Sequence, residues 1–355
     1  MVQIDKSLPV MITGANGYVA SWLVKKLLME GITVHAAVRN PDNKIQLAHL
    51  RKAAVECQGV IKFFKADLLS PGTYREAMEG CELVFHTASP FTINVKNPQK
   101  DLIDPAVKGT ENVLNSVNEV ESVKRVVVTS SCAAMYTDAM DIVKDPGGVL
   151  NESIWNTTAS LDYQPYAYSK TLAEKKAWEI NKNQNRWDLV TINMSLVLGP
   201  SLNPSISTSE STAILKLLGN GELKMGAPEL GLGVIDVRDV AEAHYLAAYK
   251  PEANGRYITS AYNTNLLELS LILIPKYGDK FPLPKRALPK WLLWIVGPLV
   301  NKLFSRKMIQ NNVDIPFNAD NSKIKRELGI TFRSLKETME DSFQNLIDEG
   351  ILVAK

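Results

Sequence analysis

Residues 10 to 30 read VMITGANGYVASWLVKKLLME. A short apolar run ends in a glycine turn, and the turn opens a segment whose apolar residues recur at helical spacing. Gly14 and Gly17 let the backbone bend tightly and approach a pyrophosphate, whose charge would rest on the free N–H groups at the head of the helix. Ala20 takes the third place, where small size lets helix and strand pack closely. Further along stand TVHAAV, VIKFF, LVFHT, RVVVTS and LVTIN, each a β-branched run separated from the next by a helical-period segment. That alternation predicts an α/β fold, a doubly wound parallel sheet covered on both faces. After Gly199 the rhythm breaks into SLNPSISTSES, then GVIDVRDVAEAHYLAAYK returns to strand and helix, and the rest is mostly helical, with capped helices expected at ADNSKIKRELG and SLKETMEDSF. We therefore expect residues 1–198 and 234–262 to form the dinucleotide domain. Residues 199–233 and 263–355 should form a smaller, mostly helical region over the strand ends.

The end of the second strand selects the cofactor. An NAD site places an acidic residue there for the ribose hydroxyls, but VHAAVRNPDNK puts Val38 and Arg39 at that point. Arg39 offers a planar fork for a 2′-phosphate, and Lys44 adds charge, so NADP is expected. Asp67 in FKADLL could accept from the adenine amine or cap the next turn.

Of the eleven tyrosines only Tyr166, in PYAYSKTLAE, has a lysine four residues on, Lys170. On a helix those two share a face, whereas Tyr168 points away. Lowering a phenol from ~10 by ~3 units requires roughly 4 kcal/mol of preferential stabilisation of the phenolate, much of which a neighbouring ammonium can supply. Such a tyrosine can give a proton to a carbonyl oxygen while a nicotinamide delivers hydride. Ser130 and Ser131 close the fifth strand, where a hydroxyl can orient the reacting carbonyl.

Composition excludes other classes. Lys+Arg 40 against Asp+Glu 38 leaves no basic face for nucleic acid. Cys57, Cys81 and Cys132 match no metal spacing and suit reduced thiols in a cytoplasmic protein; no metal is expected. The amino terminus lacks an apolar signal core. WLLWIVGPLV at 291–300 is about half a membrane span and is interrupted by Gly297 and Pro298. We read it as a packed or pocket-covering helix rather than a membrane-surface anchor, since Lys290 and Lys302 flank it without making a basic stripe.

The ordered set TGANGYVASWLV, VRNP, ADLL, VFHTASP, VKGTENVL, VVVTSS, YAYSKTLAE, VLGP, DVRDVAEAH and NSKIKRELG resembles the extended short-chain dehydrogenase/reductases. The likeness is to their branch of dihydroflavonol, cinnamoyl-CoA and phenylacetaldehyde reductases. It implies a Rossmann fold and an NADPH-dependent carbonyl reductase, with Ser131 as catalytic serine, Tyr166 as acid/base and Lys170 also holding the nicotinamide ribose. It further implies cofactor contacts at Thr13, Tyr18, Val19, Asp67, Leu68, Thr87, Ala88 and Ser89, with Val197 near the nicotinamide. Three departures stand out. Met194 replaces the proline usual after the asparagine of the sixth strand. DYQPYAYSK replaces the NWYCYGK of the cinnamoyl-CoA branch, which disfavours a CoA thioester. Tyr136 stands where dihydroflavonol reductases carry asparagine. Phe91, Tyr136, Tyr163, Met225 and the loop after Pro200, with Ser207, are expected to line an apolar pocket. It would take a small hydrophobic carbonyl or alcohol, in a monomer or homodimer. The competing readings are a nucleotide-sugar or sterol enzyme on the same scaffold and a non-catalytic NADPH-binding sensor.

Overall fold

A computed structural model describes residues 2–89, 95–203, 210–300 and 304–354. Phe91 and Ser207 lie outside the described residues. Ten strands run in chain order: β1 (Val10–Thr13), β2 (Val34–Val38), β3 (Ile61–Lys65), β4 (Leu83–His86), β5 (Arg125–Ser131), β6 (Asp188–Met194), β7 (Leu196–Leu198), β8 (Gly231–Asp236), β9 (Gly255–Thr259) and β10 (Tyr262–Asn265). The helices of the first half are α1 (Tyr18–Met29), α2 (Ala48–Glu56), α3 (Arg75–Met78), α4 (Asp104–Glu119), α5 (Ala139–Lys144) and α6 (Pro165–Lys182). Those of the second half are α7 (Glu210–Gly219), α8 (Val237–Tyr249), α9 (Leu266–Tyr277), α10 (Lys290–Val300), α11 (Arg306–Asn312), α12 (Ser322–Leu328) and α13 (Leu335–Asp348).

Seven strands form one parallel sheet in the order β3-β2-β1-β4-β5-β6-β9. The six strands read from the sequence are all in it; β9 was not foreseen. Strands β1, β2 and β4 are buried throughout, because helices cover both faces, while the edge strand β3 is only half-buried. One face packs α1 and α8 through Leu23, Leu27, Ala243 and Ala247, and the other packs α4 through Val113, Leu114 and Val117. The strand order reverses between β1 and β4, with Thr13 opposite His86. In such sheets the crevice at that reversal is where ligands sit.

GVIDV does form a strand, but β8 leaves the main sheet and joins β7 and β10 in a separate three-stranded one. Above it α7, α9 and α13 share a third core built on Leu215, Leu269, Leu273 and Phe343. Helix α13 is capped as expected, Ser334 Oγ accepting from the Glu337 N–H at 3.2 Å. At α12 the N-cap residue Asn321 makes no cap bond, and Asp320 Oδ1 accepts from the Ser322 N–H instead, at 2.8 Å.

Candidate functional site

The glycine turn sits against the end of β4. Gly14 has φ +60, and a Cβ there would lie 3.0 Å from the Ala88 Cβ and 3.2 Å from its Cα, so only glycine fits. The fully buried Thr13 ties the two strand ends together. Its hydroxyl accepts from the N–H groups of Thr87 (3.1 Å) and Ala88 (2.9 Å), and Thr87 returns a bond to the Thr13 carbonyl. Thr13, Thr87 and Ala88 thus shape the crevice through the backbone. Gly17 is the N-cap of α1, and its extended backbone leaves the first N–H groups of the helix facing the turn. Tyr18 donates to the Gly199 carbonyl at 2.8 Å, and burial pushes its phenol well above the ordinary range. Tyr18, Val19 and Met194 pack on the buried cluster of Val197, Ile235, Val237 and Val240, and Met194 stands at the end of β6 between Ser131 and Thr259 in register.

Arg39 is exposed at the end of β2 and lines an open cleft with Asn16, Val38, Asn40, Asn43 and Gln46. Lys44 is exposed beside it and is not among those lining residues. Asp67 does cap the next turn: its Oδ1 accepts from the Leu69 N–H at 2.8 Å. Leu68 presses against α4 where Gly109 gives it room, a Cβ at Gly109 being only 2.5 Å from the Leu68 Cγ.

Helix α6 carries the tyrosine and lysine at its head. Gln164 adopts a left-handed conformation (φ 54) and Pro165 occupies the first turn, which starts the helix one residue before Tyr166. The Lys170 ammonium stands 5.6 Å from the Tyr166 ring centre and donates to Ser89 Oγ at 2.8 Å. Ser131 Oγ accepts from the Ala133 N–H at 3.1 Å, capping the short turn Cys132–Ala134, and keeps its own proton available. Behind Lys170 lies a shallow cleft, open to solvent, lined among others by Ser89, Thr129, Ser130 and Glu174. His86 borders it too, held by Thr13 Oγ1 at 3.0 Å, with burial and the nearby Lys170 charge lowering its pKa to about 4. It is a strand-end packing residue.

A buried polar knot beneath this cleft was not legible in the sequence. Glu174 sits one turn after Lys170 and is 2% exposed. It accepts from Ser130 Oγ, from Asn193 Nδ2 at 2.7 Å and from Arg256 Nε at 2.7 Å. Arg256 in turn donates to the carbonyls of Glu152 (3.0 Å) and Ile154 (2.6 Å) and stacks on Trp155 at 4.0 Å. The knot fixes α6 to β5, β6 and β9, and with it the height of Tyr166 and Lys170 over the strand ends.

Tyr136 is half-buried against Phe317, 5.4 Å between ring centres. Tyr163 donates to Asp138, 2.9 Å from both oxygens, and Lys307 lies 3.5 Å over its ring. Burial and the Asp138 charge raise the Tyr163 phenol far above its usual value, so it stays neutral. The Met225 side chain is 61% exposed on the surface. Among the described residues no three His, Cys, Asp or Glu could hold a metal ion, and no helix is long and apolar enough to cross a membrane.

Residues 10–263 match the sequence signature of the NAD dependent epimerase/dehydratase family. The chain belongs to that family. Within it, the relatives fall in the extended short-chain dehydrogenase/reductase branch that the motifs resemble. It is 38% identical over 346 residues to tetraketide alpha-pyrone reductase 1 of Arabidopsis thaliana, covering 97% of this chain and 96% of that one. Cinnamoyl-CoA reductase 1 of Arabidopsis thaliana is 36% identical over 351 residues, covering 97% and 90%. Among solved structures, yeast methylglyoxal/isovaleraldehyde reductase complexed with NADPH shares 29% identity at a TM-score of 0.74, over 96% of this chain and 99% of that one. This family member is an oxidoreductase.

Proposed function

We propose that the chain is an NADPH-dependent reductase of aldehydes or ketones in which Tyr166 is the proton donor. The observation that carries this reading is the position of Lys170, whose ammonium stands between the Tyr166 ring and the Ser89 hydroxyl beside the glycine turn. The residues present fit the cofactor. The turn at Gly14 admits no side chain, and Arg39 opens onto the adjoining cleft where a 2′-phosphate needs a cation. The relative solved with NADPH supports the same choice. When bound, NADPH supplies the hydride.

The protein's own residues handle the proton and the geometry. Ser131 donates its free hydroxyl proton as a hydrogen bond to the carbonyl oxygen and so orients the substrate. Tyr166 donates its phenolic proton to that oxygen as it becomes an alkoxide. The Lys170 ammonium favours the phenolate left behind, and Ser89 keeps that ammonium from swinging away. An NAD-linked sugar-nucleotide reading would require an acidic side chain at the end of β2, where Val38 and Arg39 stand. A non-catalytic NADPH sensor would have no use for Ser131, Tyr166 and Lys170 at one strand end.

The test is a panel of aryl and alkyl aldehydes and ketones, followed as NADPH consumption with NADH in parallel. Turnover with NADPH and little with NADH is expected. Silence across the whole panel in a folded, NADPH-binding protein would sink the proposal.

A further inference from the structure

Helix α10 does not pack as its composition suggests. Its buried side is narrow: a Cβ at Gly297 would stand 3.0 Å from Ile309 Cδ1 and 3.1 Å from Phe304 Cβ, so the helix lies close on α11 through a residue with no side chain. The opposite side faces solvent. Trp291 is 66% exposed, Trp294 43%, Ile295 52%, Val296 40% and Leu299 85%. Their spacing of three and four residues makes one continuous apolar stripe, larger than the scattered apolar side chains of an ordinary surface. The packed reading of this segment therefore holds only for its Gly297 side.

The sequence flanking α10 carries charge of one sign. Between Asp279 and Asp314 the sequence carries Lys280, Lys285, Arg286, Lys290, Lys302, Arg306 and Lys307 and no Asp or Glu, in a chain whose net charge is only +2. Lys285, Arg286, Arg306 and Lys307 are exposed, and the Arg306 guanidinium lies 4.5 Å over the Trp294 ring at the edge of the stripe. Tryptophan and aliphatic side chains bordered by lysine and arginine match the headgroup layer of an anionic bilayer. The rings and aliphatics enter the acyl boundary while the cations meet phosphates.

The platform is rigid. Asn311 and Asn312 of α11 donate to Asp138 at 2.8 and 2.7 Å, and Lys290 at the head of α10 donates to the Val313 carbonyl at 2.6 Å. We infer that the exposed face of α10, with the basic residues around it, is a docking surface for anionic lipid membranes. It holds the protein on the bilayer without crossing it.

The probe is vesicle co-sedimentation of the whole protein at physiological salt, with vesicles of phosphatidylcholine alone and of an equal mixture with phosphatidylglycerol. The wild type should pellet with the mixed vesicles and stay in solution with phosphatidylcholine. Trp291→Ser with Leu299→Ser, and separately Lys285→Glu with Arg306→Glu, should each weaken that binding by at least about tenfold. Reduction of a water-soluble carbonyl should be unchanged in both. Should the apolar double variant fail to fold, the charge-reversed one decides. The inference is overturned if the wild type ignores both vesicles, if it binds them equally, or if the charge variant pellets like the wild type. A wild-type dimer in light scattering that vanishes in the apolar variant would overturn it too, by assigning the face to a second copy.

Discussion

Lys170 donates to Ser89 at 2.8 Å across 81 positions of sequence, so the head of α6 is tethered to the loop that follows β4. That loop begins at Thr87 and Ala88, whose N–H groups are held by Thr13 at the mouth of the glycine turn. The proposed proton-handling face and the glycine turn are therefore one mechanical unit.

Tyr166→Phe should abolish carbonyl reduction while leaving NADPH binding nearly intact, because it deletes the proton donor and almost no contact area. General acid catalysis is worth roughly 10²–10⁴-fold, and a loss in that range is expected. Tyr168→Phe should be mild. Steady-state rates and NADPH fluorescence titration check both, and wild-type rates in Tyr166→Phe would end its role as acid. Lys170→Ala should damage binding and turnover together.

Arg39→Ala should weaken NADPH by about 1.5–3 kcal/mol and NADH hardly at all, the loss expected for a charge-assisted contact to the 2′-phosphate. Equal losses in titrations with the two cofactors would show that Arg39 does not read the phosphate.

What the sequence made legible is local. The turn at Gly14 and Gly17 and the pair Tyr166 and Lys170 are fixed by spacings of three and four residues, which strand and helix geometry translate directly into position. What it hid is long-range. Arg256 meets Glu174 across 82 positions, from a strand that its sequence, GRYIT, did not announce. Helix α10 hid something else: an apolar repeat tells that a helix has a greasy stripe and cannot tell which way the stripe faces. Phe91 and Ser207 fall outside the described residues, and Met225 lies on the surface, so the proposed apolar pocket rests mainly on Tyr136 and Tyr163.

The Glu174–Arg256 pair predicts a stability effect. Both side chains are buried, and Arg256 Nη2 already lacks a partner. Glu174→Ala strands a buried guanidinium and should cost about 3–5 kcal/mol in urea denaturation. Glu174→Gln keeps one accepting oxygen, which can face either Arg256 Nε or Ser130 Oγ, and should cost less. Equal costs would mean that the charge contributes nothing there.

Stability should fall in acid through two buried histidines. His86 and His244 have native pKa values lowered to about 4 by burial, against 6.5 for an ordinary histidine. Above pH 6.5 both states are neutral and the rings add no pH dependence. Between about 6.5 and 4 the unfolded chain binds protons that the native state refuses, so each ring costs up to about 3 kcal/mol by pH 4. His244 is held by Thr129 Oγ1 at 2.7 Å and by the Val240 carbonyl at 2.8 Å, bonds a glutamine can partly replace. His244→Gln should therefore flatten the stability-versus-pH slope between pH 6 and 4.5 by about one proton, whatever it costs at pH 7. An unchanged slope would mean that His244 titrates normally in the native state.

The last prediction concerns the substrate, where the relatives pull in different directions. One is named a cinnamoyl-CoA reductase, and a CoA thioester brings a polyphosphate that needs cations at the pocket mouth. Beside Tyr163 and Tyr136 stand Asp138, Asn311, Asn312, Phe317 and Lys307, whose ammonium is seated over the Tyr163 ring. Asp138 accepts from Tyr163, Asn311 and Asn312, and its negative charge would repel a phosphate approaching that rim. Aromatic walls with neutral amides and a carboxylate suit an uncharged carbonyl compound. Aryl and alkyl aldehydes or ketones should therefore show kcat/KM well above any acyl-CoA or nucleotide sugar. Asp138→Asn should leave them little changed if the fold holds in a melting scan. A hydroxycinnamoyl-CoA preferred over its free aldehyde would overturn the assignment, and would place the phosphate-binding cations outside this rim.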